Sequence, residues 1–137
     1  MIDEIRLARG VAAEILNHAR GNPEDECCGL LAGRHGAIAQ AFPAQNVAEH
    51  PTTAYEIAPK ELFRIMREIR AAGLELLGIY HSHPNGDNQP SARDVERAYY
   101  PDAAYFILSP RAEAPEPIRA YSIHDGRWTQ REIKIQN

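Results

Sequence analysis

The stretch that most constrains the fold is LELLGIYHSH, residues 74–83, which is apolar on both alternating faces until its last four residues. A strand with one face in water alternates polar and apolar side chains, so a run like this belongs in the middle of a sheet covered on both sides. Because strand side chains alternate, His81 and His83 are predicted to point the same way as Ile79 and Leu77, with Tyr80 and Ser82 on the other face. The strand then gives way to PNGDNQP, a loop of turn formers, which is where a buried sheet opens onto a cleft.

The other segments supply helices and strands in mixed order. Leu7, Val11 and Ile15, with Ala8, Ala12 and Leu16 beside them, recur at helical spacing and are stopped by Gly21 and Pro23, so the first element is expected to be a helix. Gly10 inside it costs about 1 kcal/mol relative to alanine. CCGLLAG reads as a buried strand, RHG as a turn and AIAQAF as a returning strand. From Pro43 to Pro59 three prolines and the lack of a sustained period predict a long surface connection. Residues 60–72 resume helical spacing through Leu62, Phe63, Met66 and Ile69, opened by Pro59 and closed by Gly73. SARDVERAYY is a short helix ended by Pro101, and AAYFILS a further buried strand. The pair Asp125-Gly126 between IRAYSIH and RWTQREIKI signals a two-residue hairpin. About five or six strands and three helices imply an α/β or α+β fold with a mixed sheet, residues 1–137 forming one domain.

A chain of 137 residues, 44% hydrophobic, can bury a core without disulfides or a structural metal. Its net charge of −4, with lysines and arginines interspersed among acids, argues against nucleic acid as a main partner. MIDEIRLARG carries charge from its third residue and leads into no long apolar run, so neither a secretory signal nor a membrane span is expected, and a cytoplasmic protein is. Cys27 and Cys28 are sequence neighbours; a disulfide between them would be strained, and reduced buried thiols are expected.

The chemistry is concentrated in HSHPNGDNQPSARD, residues 81–94, where Asp94 follows the histidine pair after ten intervening residues. Asp94 falls in the first turn of the next helix, which can hold a carboxylate against the two imidazoles. Two neutral imidazoles and one carboxylate suit zinc, and three protein ligands leave a fourth position for water, as catalytic zinc sites do. Each residue also has a plainer explanation. Ser91 and Asp94 alone form a helix cap, and a lone histidine at a strand end is usually a surface or hydrogen-bonded side chain, the reading given to His18, His35, His50 and His124. The coincidence of the pair at the end of a buried strand with a spaced aspartate is hard to explain as packing.

The pattern HxH, seven residues, Ser, two residues, Asp resembles the JAMM (MPN+) metalloprotease family at every motif position from His81 to Asp94. PEDECCGLLAG and QNVAEHPTTAYEIAP are also similar to segments of that family, the first to one with a glutamate two residues before Cys-Gly, the second to an Asn-containing connection ending in tyrosine and proline. GIYHSHP and the final YSIHDGRWTQREIKI resemble its small bacterial members. The resemblance implies a cytidine-deaminase-like mixed sheet flanked by helices and zinc on His81, His83 and Asp94. It implies Glu26 as the carboxylate that takes a proton from the attacking water and returns it to the leaving amine, and Ser91 as a hydroxyl that stabilises the oxyanion. Alanine is frequent in the family where Cys27 stands, and Glu24 is a rival for the base. The implied activity is cleavage after the C-terminal Gly-Gly tail of a ubiquitin-like or sulfur-carrier protein, the tail lying along an exposed strand edge. The alternatives are an MPN interaction module without activity, a RadC-like DNA-repair-associated protein suggested by PNGDNQPSARD, and a non-haem iron site. A nucleoside deaminase lacks its expected PCxxC ligands here.

Overall fold

The structure is a computed structural model and describes residues 4–137. In chain order its elements are β1 (Glu4–Ala8), α1 (Arg9–Arg20), β2 (Cys28–Arg34), β3 (Ala37–Ala44), α2 (Pro59–Ala71), β4 (Glu75–Ser82), α3 (Ala92–Glu96), β5 (Ala104–Leu108), β6 (Ile118–His124) and β7 (Arg127–Gln136). The strands form one mixed sheet in the order β1-β3-β2-β4-β5-β6-β7, which closes because β1 pairs in parallel with both β3 and β7. β4 is central, antiparallel to β2 and parallel to β5. Closure at the β1–β3 seam rests on two pairs, Arg6 with Ala37 and Leu7 with Ile38, so beyond Ile38 the side of β3 away from β2 has no strand partner among the described residues.

The first element is a strand and not the expected helix. Ala8, extended at φ −61° and ψ 137°, caps α1, so Leu7 lies in β1 and Val11 and Ile15 in α1. All three side chains enter one core, with Leu31, Tyr80 and Phe106. A strand leading into a helix on that core thus imitated the spacing of a single helix. Gly10 sits in the first turn of α1, and Gly21 and Pro23 follow its end as expected.

α2 covers the other face over Cys28, Leu30 and Ala32. It begins with Pro59 at its first turn, and at its end Gly73, at φ 72°, sends its N–H to Arg70 O while Leu74 N–H reaches Ile69 O. This is the paired closing bond that a left-handed residue permits. Ile65 is buried where Phe63 was expected; Phe63 stands in solvent beside the Arg67 guanidinium. Both two-residue hairpins form through left-handed pairs, His35-Gly36 and Asp125-Gly126.

β4 departs from strict alternation. The β2–β4 register shifts between Leu31 and Ala32, opposite Gly78 and Leu76. Leu77 consequently packs with α1's core, while Ile79 packs with Tyr105 and Ile107 on the opposite side. Only Ile79 therefore shares the histidines' face; Leu77 does not, because a bulge inserts one residue into the alternation.

β2 crosses β3 and β4 at very close range. A Cβ on Gly29 would lie 2.4 Å from the Tyr80 ring and 2.7 Å from Phe42 O. Gly29→Ala is expected to cost about 3 kcal/mol through overpacking and to lower the melting temperature by roughly 10 °C. Thermal unfolding followed by circular dichroism checks this; a variant as stable as the parent would mean that β2 and β4 separate easily.

Candidate metal centre

His81 lies in the buried run that ends β4, and His83 follows one residue beyond the strand, where its N–H still donates to Leu108 O at 2.9 Å. Asp94 comes from the first turn of α3. There it completes a reciprocal cap: Asp94 N–H donates to Ser91 Oγ at 3.1 Å and Ser91 N–H donates to Asp94 Oδ2 at 2.9 Å. The plain helix-cap explanation of Ser91 and Asp94 and the ligand explanation are both right, because the cap is what fixes the carboxylate's direction.

The three side chains converge. His81 Nε2 and His83 Nε2 are 3.2 Å apart, His81 Nε2 is 3.1 Å from Asp94 Oδ1, and His83 Nε2 is 3.0 Å from Asp94 Oδ2. Ligands about 2.0–2.1 Å from a tetrahedral zinc lie roughly 3.3 Å from one another, so the donors already stand near the edges of such a polyhedron. His83 Nδ1 donates to Asp87 O at 2.5 Å, which leaves the Nε2 lone pair facing the group. His81 is positioned differently: Nδ1 is buried with no hydrogen-bond partner among the described residues, and the ring is held by Tyr55, stacked on it at 4.5 Å between centroids. His81 thus turns Nε2 toward a carboxylate and a second imidazole, and two imidazoles with one carboxylate are a donor set that suits zinc.

Burial lowers the pKa of His81, an effect that the hydrogen bond to Asp94 offsets only in part. At His83 burial works in the same direction, but the bonds to Asp94 and Asp87 outweigh it and raise the pKa. Burial by itself would raise Asp94; the two histidine bonds prevail and hold it well below the usual carboxylate range.

Glu26 is 6% exposed, whereas Glu24 and Asp25 stand in solvent. Burial pushes the Glu26 carboxyl up to about 8, against the opposing attraction of His83. Asp94 and Arg93 also act on it, which puts this carboxyl within electrostatic reach of the ligand group. Cys27 and Cys28 are free and buried, as expected. His18, left among ordinary histidines, bonds Tyr80 OH at 2.7 Å through Nδ1 on the far side of β4.

Tyr55 and Asn46 are the tyrosine and asparagine of the family-like segment QNVAEHPTTAYEIAP, neither with a role readable from the sequence alone, and their proline-rich connection was expected to run over the surface. Instead it folds back, burying Ala54 and setting Tyr55 against His81. Asn88 is buried in the loop after His83, its amide donating to Glu116 O at 2.7 Å while its own carbonyl accepts from Tyr121 OH at 2.7 Å. Tyr55 meets His81, and Asn88 meets Glu116 and Tyr121, across long stretches of chain, so spacing carries no trace of these contacts. Beside the group a cavity of about 360 Å³ opens, with Leu30, Leu62, Met66 and Ile79 among its apolar lining and Asp94 and Arg93 in its wall. No helix among the described residues is long and apolar enough to cross a membrane.

Comparison with known proteins agrees with this geometry. Residues 8–124 match the family described as prokaryotic homologues of the JAB domain. A desampylase from Haloferax volcanii is 45% identical over 77% of this chain and 81% of its own length. A CysO-cysteine peptidase from Mycobacterium tuberculosis is 34% identical over 91% of this chain and 89% of its own. A solution structure from Desulfitobacterium hafniense superposes with a TM-score of 0.85 at 30% identity, covering 97% of this chain and 93% of the other. With one family covering the chain from the end of β1 to the end of β6, and relatives of this similarity along most of it, the chain belongs to the prokaryotic JAB-domain family.

Proposed function

We propose that this chain is a zinc metallopeptidase that cleaves after the C-terminal Gly-Gly of a ubiquitin-like or sulfur-carrier protein. The observation that carries the reading is the convergence of His81, His83 and Asp94 within hydrogen-bond distance of one another, with the raised carboxyl of Glu26 beside them. The relatives bearing peptidase names support the substrate class. His81, His83 and Asp94 would hold the zinc. When bound, zinc lowers the pKa of water and polarises a carbonyl oxygen.

The chain's own residues supply the remaining steps. Burial pushes the Glu26 carboxyl up to about 8, so its ionised form is a stronger proton acceptor than an exposed carboxylate and can take a proton from water and return it to the leaving amine. Ser91 Oγ uses a lone pair to accept Asp94 N–H, so its hydroxyl proton is available to donate to the carbonyl oxygen under attack. A binding module without turnover would gain nothing from a buried carboxyl in this position.

The cavity whose wall contains Asp94 gives the tail its way to the site. Glycines at the tail's end let its carbonyl approach the metal group where a side chain would collide. Residues 1–137 act as one domain in this reading, supported by the pairing of the first described strand with the last. It works in the cytoplasm, where two free thiols stay reduced. The cytidine-deaminase-like architecture belongs to the same reading, supported by a mixed sheet with donors at a strand's end and in the following helix.

A carrier ending in Gly-Gly and extended by one or more residues should be trimmed back to glycine. Replacing the carrier's last glycine by valine should slow trimming about 100-fold without unfolding the carrier. Mass spectrometry of the carrier after incubation with zinc-loaded enzyme gives the answer. Efficient trimming of the valine form, or equally fast cleavage of unrelated unfolded peptides, would reduce the activity to that of a general metallopeptidase.

A further inference from the structure

The peptide plane that follows Glu26 is held at both polar ends by side chains. Its carbonyl, Glu26 O, accepts from Asn46 Nδ2 at 2.9 Å, and its N–H, on Cys27, donates to Ser82 Oγ at 2.9 Å. The two residues precede β2, which starts at Cys28, so the β2 ladder does not fix this plane. Ser82 grips the same place again, its N–H donating to Cys27 O at 3.1 Å.

Both holders are themselves fixed. Asn46 Nδ2 also donates to Ala54 O at 2.9 Å, while Oδ1 accepts from Ala48 N and Glu56 N, each at 3.0 Å. A flipped amide would set its NH₂ against two N–H groups, so only one orientation satisfies the network. Ala54 precedes Tyr55, whose ring stacks on His81. Ser82 is fully buried and lies between His81 and His83 in sequence. Buried side-chain-to-backbone bonds often do no more than satisfy polar groups. These two differ because they take opposite ends of one peptide, next to the carboxyl at issue, and each is joined to a histidine of the ligand group.

We propose that Asn46 and Ser82 are positioning residues, a clamp on the Glu26–Cys27 peptide that sets where the Glu26 carboxylate stands relative to His81, His83 and Asp94. The inference rests on the reading of Glu26 as the proton carrier. A carboxylate free to swing by about 1 Å would lose on the order of 10² in rate, because proton transfer requires hydrogen-bond reach. The clamp ties that position to the strand that carries the ligands.

Ser82→Ala removes the acceptor of Cys27 N–H, Ser82→Thr keeps a hydroxyl in a strand that favours β-branching, and Asn46→Asp replaces the Nδ2 donor with an oxygen facing two carbonyls. In zinc-free protein, NMR should show the Cys27 amide exchanging about tenfold faster in Ser82→Ala and back near the parent rate in Ser82→Thr. Zinc should remain at one per chain. With a Gly-Gly-extended carrier, kcat should fall about 10–100-fold in Ser82→Ala and Asn46→Asp with KM unchanged, and Ser82→Thr should recover most of it. On a Glu26→Gln background the same changes should cost nothing further, since no proton carrier is left to position. The clamp is overturned if Ser82→Ala keeps its kcat, if the loss persists undiminished on Glu26→Gln, or if zinc is lost, which would mean that Ser82 acts on the ligands. Should Asn46→Asp fail to fold, the Ser82 pair decides alone. Failure of the underlying reading shows separately, as full activity of Glu26→Gln itself.

Discussion

Glu26→Gln is expected to lower turnover about 10²–10⁴-fold while zinc stays bound and the fold is kept. Glutamine is nearly isosteric with the carboxyl but cannot shuttle a proton, and Glu26 is not among the three converging donors. The same substitution has a stability consequence of opposite sign. Unfolded, this carboxyl titrates near 4.5; folded and without metal it is pushed up to about 8. Between those values unfolding releases a proton, so the zinc-free protein loses stability as pH rises from 4.5 to 8. Glutamine has no such loss. The zinc-free variant should therefore be more stable than the parent by about 2–4 kcal/mol at pH 8 and little different near pH 4.5. Thermal unfolding of zinc-free proteins across this range, alongside turnover of the zinc-loaded ones, tests both halves. Full turnover in Glu26→Gln together with loss in Glu24→Gln would shift the base by two residues. A stability gap independent of pH would detach the effect from the carboxyl's ionisation.

What could be seen in the sequence was what short-range geometry fixes. His81, His83 and Asp94 converge because one strand end presents two side chains in register and one helix cap aims a third. Both hairpins follow from residue pairs that tolerate left-handed backbone. Long-range effects escaped. The bulge opposite Leu31 moved Leu77 off the histidines' face, and nothing within LELLGIYHSH marks it, since a bulge belongs to a pair of strands. β1 merged with α1 because Leu7 and Val11 serve one core from two kinds of backbone. Closure of the sheet depends on β1 meeting β7, a pairing more than a hundred residues apart. The clamp on Glu26 has the same character: Asn46 and Ser82 meet one peptide from sequence distances of 20 and 55 residues.

Loss of a ligand should have the largest effect of all. In His81→Ala and Asp94→Ala stoichiometric zinc should be lost and turnover should fall about 10⁴-fold or more, because the Lewis acid is removed along with the organisation of the reacting groups. The two variants should differ in the fold. His81 contributes its ring alone, whereas the Asp94 carboxylate also accepts Ser91 N–H and closes the cap of α3. Asp94→Ala should thus cost a further 1 kcal/mol or so of stability, which Asp94→Asn, keeping a side-chain oxygen, should largely recover without recovering zinc. Acid should imitate ligand loss. The pKa of His83 is raised above its usual 6.5 by Asp94 and Asp87 once burial is outweighed, so its proton competes with the metal as pH falls through that raised value. Zinc affinity is expected to drop in that window and zinc to be retained above it, with the polypeptide still folded on its own core. Metal analysis after dialysis at a series of pH values, with circular dichroism on the same samples, follows both. Stoichiometric zinc in Asp94→Ala would remove Asp94 from the ligand set, and unfolding that coincides with zinc release would make the site a structural one.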